Sequence, residues 1–388
     1  MLHTLGISTD DYLALCEYTG MIPSFTIRFQ LGDKDEVQEA RDWVEYLNGP
    51  PDSTWGEIRA ARGHPAPYNV TYFYLGNEIS QQRRCPQYPQ DIKCTGPPST
   101  KEYQQMLLNV VSPMLEASPL PIRLLTVSGG TAWNAAWAAA VGDHIFATSF
   151  HDGYMNQPRE FTQEAVTTCA MRPRGDFMNN VASLRKTLDA TGKTIAISAD
   201  EWGLGPPWRA GANGPNHIRF SVAHGMYAAG FLGAITRGSQ QFNLQFSNYF
   251  EPVNEGAILV QPFSAKLTPV GEVMKLFAAH AGGVQLQLPA VAITGDLDTI
   301  ATLHDNHSLV VTVSHLNAVG WVPYDLALSL PSWTGKPNAS TTTLEAEGFA
   351  ADSLFNILNG EVVLSATRVV HLRIPPFSVV QLRVGTNA

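Results

Sequence analysis

Charge is what this 388-residue chain has little of. Asp, Glu, Lys and Arg make up 15% of it, against about 25% in an ordinary soluble domain. The charge present runs acidic, a net −9, which argues against nucleic acid or an anionic membrane surface as partner. No apolar run approaches the ~18 residues that would cross a bilayer. Met1-Leu2-His3-Thr4 lacks the basic start and apolar stretch of an export signal. Cysteine is scarce: Cys16, Cys85, Cys94 and Cys169. Cys85 and Cys94 share a Pro/Gln-rich loop, which suits a local disulfide or two free thiols. Whole chemistries are missing as well. There is no Gly-x-Ser-x-Gly elbow, no phosphate-binding Gly-rich loop with Lys and no His-Glu-x-x-His zinc pair. His304 and His307 stand close together without carboxylate support and read as surface residues. No metal and no organic cofactor is expected.

Low charge combined with Trp, Tyr, Asn and Gln suits a protein that handles neutral polar ligands such as sugars. The sequons Asn69-Val70-Thr71, Asn306-His307-Ser308 and Asn338-Ala339-Ser340 permit glycosylation. With the candidate disulfide they point to an extracellular or vacuolar setting.

The chain divides by texture. Up to about residue 282, strand-like and helix-like segments alternate. Six strands are legible: Met21 to Gln30, Val70 to Gly76, Ile122 to Ser128, Ile145 to Phe150, Thr194 to Ala199 and Phe242 to Phe246. Helical spacing follows each, as in Val37, Ala40, Val44 and Leu47. Later helices are expected from Thr100 to Glu116, around Ala132 to Ala140, at Val181, Leu184 and Leu188, from His217 to Leu232 and from Pro269 to His280. Repeated βα units imply a parallel sheet with helices outside it. From 283 to 388 the pattern turns to short β-rich runs, such as Leu309 to Val313, Val369 to Arg373 and Ser378 to Val384, which read as a β-sandwich or jelly roll.

Two runs end in glutamate: Tyr74-Leu75-Gly76-Asn77-Glu78 and Ile197-Ser198-Ala199-Asp200-Glu201-Trp202. In a barrel of parallel strands the chemistry sits where strands end. A facing carboxylate pair is what glycoside hydrolysis needs, and about 5–5.5 Å is the separation expected of a retaining enzyme. A strand-end glutamate can equally be a solvated residue or a salt-bridge partner.

Several separate stretches together resemble the α-L-arabinofuranosidases of glycoside hydrolase family fifty-one. They are Trp43-Val44-Glu45-Tyr46-Leu47-Asn48-Gly49-Pro50, Gly63-His64-Pro65-Ala66-Pro67-Tyr68, Gly76-Asn77-Glu78, Asp200-Glu201-Trp202 and Ile374-Pro375-Pro376-Phe377-Ser378-Val379. The resemblance implies an eight-stranded (β/α) TIM barrel whose first two βα units are absent from this chain, followed by a C-terminal jelly roll. It implies Glu78 as general acid/base, which partial burial and a second carboxylate would keep protonated, and Glu201 as ionised nucleophile. Asn77 would bond a sugar hydroxyl, or else serve as a turn residue. His151 and Tyr154 would orient the nucleophile and floor the pocket. Gln245, with Asn248 beside it, would bind sugar. Trp202 would either stack on a sugar face or belong to the core. The family's Asn after Glu-Trp is Gly203 here, its Met-Asp after Asn-Glu is Ile79-Ser80, and its substrate-binding Arg has no counterpart. The activity implied is a retaining, exo-acting α-L-arabinofuranosidase on arabinose-containing oligo- or polysaccharide. The alternatives are another glycosidase on this scaffold, such as a β-xylosidase or endoglucanase, and a non-catalytic carbohydrate-binding or structural descendant. A missing front would leave open sheet edges for an upstream segment or a second copy to cover.

Overall fold

The computed structural model describes residues 7–28, 35–80, 98–205, 220–254, 256–288, 295–305, 307–330, 337–350, 352–362, 364 and 368–386. The expected pairing of Cys85 with Cys94 lies outside these residues. Cys16 and Cys169 are buried free thiols. No helix among the described residues is long and apolar enough to cross a membrane. The chain forms two compact units, Met1–Phe150 with Ser183–Ser198, and His151–Ala182 with Ala199–Ala388.

The first unit opens with α1 (Thr9–Thr19), started by a capping box in which Ser8 and Asp11 satisfy each other's backbone N–H. Then come β1 (Ser24–Ile27), α2 (Glu36–Asn48), α3 (Thr54–Ala61), β2 (Tyr72–Leu75), α4 (Thr100–Ala117), β3 (Arg123–Val127), α5 (Thr131–Val141) and β4 (Ile145–Ser149). A second capping box, Ser99 with Glu102, starts α4. Strands β1 to β4 pair in sequence order, all parallel. Phe73, Leu75, Leu124 and Leu125 of these strands are fully buried, as are Val44, Leu47, Leu107 and Trp137 of the helices. Burying each such side chain is worth about 1.5–3 kcal/mol.

The motifs around α2 and α3 act as scaffold. Arg59, fully buried, donates to the carbonyls of Tyr46, Gly49, His64 and Pro65. It thereby ties the end of α2 to the Gly63-His64-Pro65 loop. Asn48 bonds both backbone groups of Val70 just before β2. The Asn-Gly-Pro and Gly-His-Pro stretches thus set where β2 begins, and with it the position of Glu78.

The chain continues with β5 (Gly153–Asn156), α6 (Gln163–Met171), α7 (Asp176–Asp189), β6 (Ala196–Gly205), α8 (Val222–Phe242), β7 (Leu244–Tyr249), β8 (Ile258–Gln261), β9 (Ser264–Leu267) and α9 (Pro269–Phe277). Residues Ala196 to Ser198 of β6 extend the first unit's sheet in parallel beside β4. In the second unit, residues 202–205 of β6 pair in parallel with β5, and β7 also pairs with β6.

Two expectations need correction. Strand β6 runs on to Gly205 instead of stopping at Ala199, because β5 and β7 give its later residues hydrogen-bonding partners. Glu201 therefore lies within the strand, not at its end. Helix α8 runs to Phe242 instead of Leu232 and stops at Asn243, whose positive φ of 52° ends it. It is buried almost all round, and at Gly230 even a Cβ would strike the Ala170 carbonyl at 2.0 Å.

Beyond α9 only strands and single-turn helices follow among the described residues: β10 (Val284–Gln285), β11 (Leu297–Leu303), β12 (Leu309–His315), β13 (Tyr324–Ser329), β14 (Pro337–Ala346), β15 (Phe355–Val362), β16 (Val369–Ile374) and β17 (Ser378–Thr386). They form one sheet of order β10-β11-β12-β17-β14-β15 and a separate antiparallel pair β13-β16. Leu297, Val313 and Leu382 of the first sheet and Val370, Leu372 and Ile374 of the second share one core. The fold is therefore of the (β/α)-barrel type, short of eight strands among the described residues, with an antiparallel β portion after it.

Candidate active site

Glu78 follows β2 by three residues. Gly76 (φ 91°) turns the chain out of the strand, and Glu78 itself holds a φ of 49°. A non-glycine residue in this region carries a backbone cost that surrounding structure must offset, and such residues gather at functional sites. The offset is visible on both sides. Tyr103 donates its hydroxyl to the Leu75 carbonyl at 3.2 Å, and Ser80 donates to the Ser128 carbonyl at 2.9 Å. Ile79, buried, anchors the turn between them. Glu78 is half-buried and Asn77 exposed.

In the second unit, His151 lies in a short gap in the pairing of β6. The β4 register ends at Ser149 opposite Ser198, and the β5 register starts at Gly153 opposite Trp202. The imidazole meets two carboxylates there. Nδ1 is 3.2 Å from Glu201 Oε2, and Nε2 is 3.5 Å from Asp200 Oδ1. An imidazolium can donate from both nitrogens, whereas a neutral ring can donate to only one carboxylate. Side-chain exposure separates the two acids: Asp200 is 6% exposed and Glu201 20%. Asp200 is thus placed to hold the ring, and Glu201 keeps an accessible oxygen for chemistry. The sequence reading missed Asp200, although it stands next to Glu201.

The other expected residues fall into two groups. Tyr154 stays beside this cluster, on β5 opposite Gly203, with its ring edge-on to Phe250 at 5.5 Å. The chain leaving β7 closes over the same point, where the Phe250 N–H donates to the Trp202 carbonyl at 2.9 Å. At position 203 a Cβ would stand 3.0 Å from the Phe250 carbonyl oxygen and 3.3 Å from the Tyr249 ring, so the glycine there admits this crossing. Trp202, by contrast, is fully buried, stacked on Phe231 at 4.4 Å and met edge-on by Tyr249 at 4.9 Å. Of its two readings the core one holds, since no face is left for a sugar. Gln245 and Asn248 are exposed on β7, and Gln245 donates to Asn243 at 2.8 Å.

A (β/α)-barrel-type fold carrying such carboxylates is one that barrel hydrolases share, and the comparisons narrow the likeness. Residues 2–163 match the family model described as the alpha-L-arabinofuranosidase 1 domain. Over 76 residues the chain is 41% identical to the probable alpha-L-arabinofuranosidase C of Aspergillus fumigatus. Over 82 residues it is 34% identical to alpha-L-arabinofuranosidase 2 of Arabidopsis thaliana. These stretches cover 20% and 19% of this chain but only 14% and 12% of those relatives. Among solved structures, the alpha-L-arabinofuranosidase of Thermotoga maritima superposes with a TM-score of 0.75 at 19% identity, over 98% of this chain and 79% of that one. The family fifty-one enzyme of Thermotoga petrophila gives 0.74 at 21%, over 97% and 78%. These structures bear on the fold. The resemblance read from the motifs is borne out: the chain is similar to α-L-arabinofuranosidases in sequence over residues 2–163 and to family fifty-one structures in fold.

Proposed function

We propose that the chain carries the machinery of a retaining, exo-acting α-L-arabinofuranosidase that removes arabinofuranose from plant or algal oligo- and polysaccharides. The observation that carries the reading is the His151–Glu201 contact. It gives one glutamate the support a nucleophile needs, within a fold and motif set whose other glutamate, Glu78, belongs to the matched stretch. In the proposed reaction a Glu201 oxygen attacks the anomeric carbon as the glycosidic bond breaks. Glu78 gives its proton to the departing oxygen. Water, deprotonated by Glu78, then releases the sugar from Glu201 with two inversions and net retention. Asn77, Tyr154, Gln245 and Asn248 are assigned to sugar binding. Residues 1–282 form the catalytic part in this reading, and 283–388 a jelly roll that supports it. An extracellular or vacuolar site of action fits such substrates.

The test is kinetic. Glu201→Gln should lower turnover of an aryl α-L-arabinofuranoside by about 10⁴-fold. Glu78→Ala should cost a natural oligosaccharide about 10²–10⁴-fold and an aryl glycoside with a good leaving group far less, because only a poor leaving group needs the proton. Equal losses on both substrates would remove Glu78 from its role. An inverted product in a time-resolved NMR spectrum would end the retaining assignment.

A further inference from the structure

Helix α8 is wedged into the second unit. Besides Gly230 against Ala170, a Cβ at Gly225 would stand 2.9 Å from the Pro269 carbonyl oxygen, and one at Gly233 3.0 Å from Asp298 Oδ2. Arg237, one turn further on, pairs with the same Asp298. The Val222 N–H donates to the Ser353 carbonyl at 2.9 Å. A helix packed so closely is a fixed reference for whatever its side chains touch.

His224, Tyr227 and Phe231 recur at i, i+3 and i+7 and so share one face of it. All three are buried, and each holds a strand beside the candidate nucleophile. Phe231 stacks on Trp202, the residue after Glu201. His224 Nε2 is 3.1 Å from Gln157 Oε1. The Gln157 N–H in turn donates to the Gly205 carbonyl at 2.8 Å, which ties the far ends of β5 and β6 together. Tyr227 donates its hydroxyl to the Gly153 carbonyl, at the near end of β5.

That carbonyl belongs to a four-residue turn. The Tyr154 N–H donates to the His151 carbonyl at 3.1 Å, the bond that closes a β-turn. His151 heads the turn, and its Nδ1 meets Glu201 Oε2 at 3.2 Å. A buried tyrosine usually finds an acceptor for its hydroxyl. What sets this one apart is where its acceptor lies. Burial pushes the Tyr227 hydroxyl well above its ordinary value, so it stays protonated and donating.

We infer that Tyr227 is a positioning residue: its bond to Gly153 fixes the 151–154 turn, and the turn holds the His151 imidazole against Glu201. This rests on the glycosidase reading and deepens it, by tracing the support of the candidate nucleophile back to a helix that touches no substrate in that reading.

The experiment is a double-mutant cycle on the full chain with an aryl α-L-arabinofuranoside, run well below the melting temperature of every variant. Tyr227→Phe removes the hydroxyl and keeps the ring. It should lower kcat about tenfold, a share of the about 10²-fold that a 1 Å misplacement costs, and leave KM within about twofold. In a His151→Ala background the same change should lower kcat by less than about twofold, because residues that act through one another fail to add. A tenfold loss in both backgrounds would overturn the inference, since Tyr227 would then act by a route other than His151. So would an unchanged kcat when His151 is present. If Tyr227→Phe does not fold, Tyr227→His, whose shorter side chain draws the donor back from Gly153, takes its place with the same expectations. If the wild type turns over no arabinofuranoside, the glycosidase reading fails by itself. Crystal structures of wild type and Tyr227→Phe then decide the positioning role. A His151 Nδ1 moved out of hydrogen-bond reach of Glu201 in the variant supports it, and a contact kept at 3.2 Å overturns it.

Discussion

A single imidazole between two carboxylates is the most consequential residue-scale feature. His151 touches Glu201 with one nitrogen and Asp200 with the other, so in the proposed reaction it is a positioning residue. Replacing it by Ala removes one contact of the Glu201 carboxylate and lets that carboxylate shift. Misplacement of a reacting group by about 1 Å can cost about 10²-fold. His151→Ala is accordingly expected to lower kcat on an aryl α-L-arabinofuranoside by about 10²-fold with KM changed little. A rise in KM at constant kcat would instead make His151 a sugar-binding group. At this scale the sequence was legible where residue type is specific to one role. Glu78, Glu201 and His151 were singled out by type and position, and the structure places His151 against Glu201 and Glu78 in the turn after β2. Trp202 was ambiguous because one side chain suits both a sugar platform and a core, and only its burial between Phe231 and Tyr249 decides. Asp200 was quoted within its motif but given no role, because its work depends on which side of His151 it meets.

Among the elements, the strands with apolar runs were legible and the rest were not, for physical reasons. The run Phe73 to Leu75 advertises a buried strand, whereas Gly153-Tyr154-Met155-Asn156 has no run at all. It becomes β5 only because β6 offers an edge and because Gly153 lets it lie against Phe231 and Trp202, where a Cβ would meet atoms at 2.5–2.6 Å. Helix α1 was missed although Ser8 and Asp11 hold the capping-box spacing; α3 is too short for a helical period to show. The Gly-His-Pro and Asn-Gly-Pro motifs were legible as a likeness, but their work was not. That work is Arg59, whose planar fork reaches four carbonyls at once. A lysine has one ammonium and cannot make that pattern. Arg59→Lys should leave several buried carbonyls unsatisfied, at about 1–3 kcal/mol each where water cannot replace the donor. A denaturation midpoint equal to wild type would show that the loop between α3 and β2 needs no such clamp.

At the scale of the whole molecule, the change of texture near residue 283 was plain from composition, and strands alone follow it among the described residues apart from short turns of helix. The stitching in the second unit was hidden, because it is made by polar residues that read as ordinary strand or helix ends. His280, just past α9, places Nδ1 2.9 Å from the Thr302 hydroxyl on β11 and Nε2 2.8 Å from the Thr312 hydroxyl on β12. Gln381 of β17 bonds the same Thr312 and the Leu276 carbonyl of α9. Burial, with smaller contributions from His304 and Arg383, pushes the His280 imidazole down to about 4 from its ordinary 6.5. Between those values the unfolded chain takes up a proton that the folded chain refuses. The stability held by the neutral ring is therefore fully present above pH 6.5 and is lost as the pH falls towards 4, by about 3 kcal/mol at most. Below pH 4 both states are protonated and the loss stops growing. Burial lowers His315 as well, so His280 accounts for only part of the slope. His280→Gln removes the titrating group while keeping an amide that can reach both hydroxyls. The variant should melt lower than wild type at pH 7, yet lose less on acidification, so that the two melting curves converge between pH 6.5 and pH 4. Parallel curves across that window would mean that His280 is protonated in the folded protein at no unusual cost, and that the junction of α9 with the β portion is wetter than its geometry indicates.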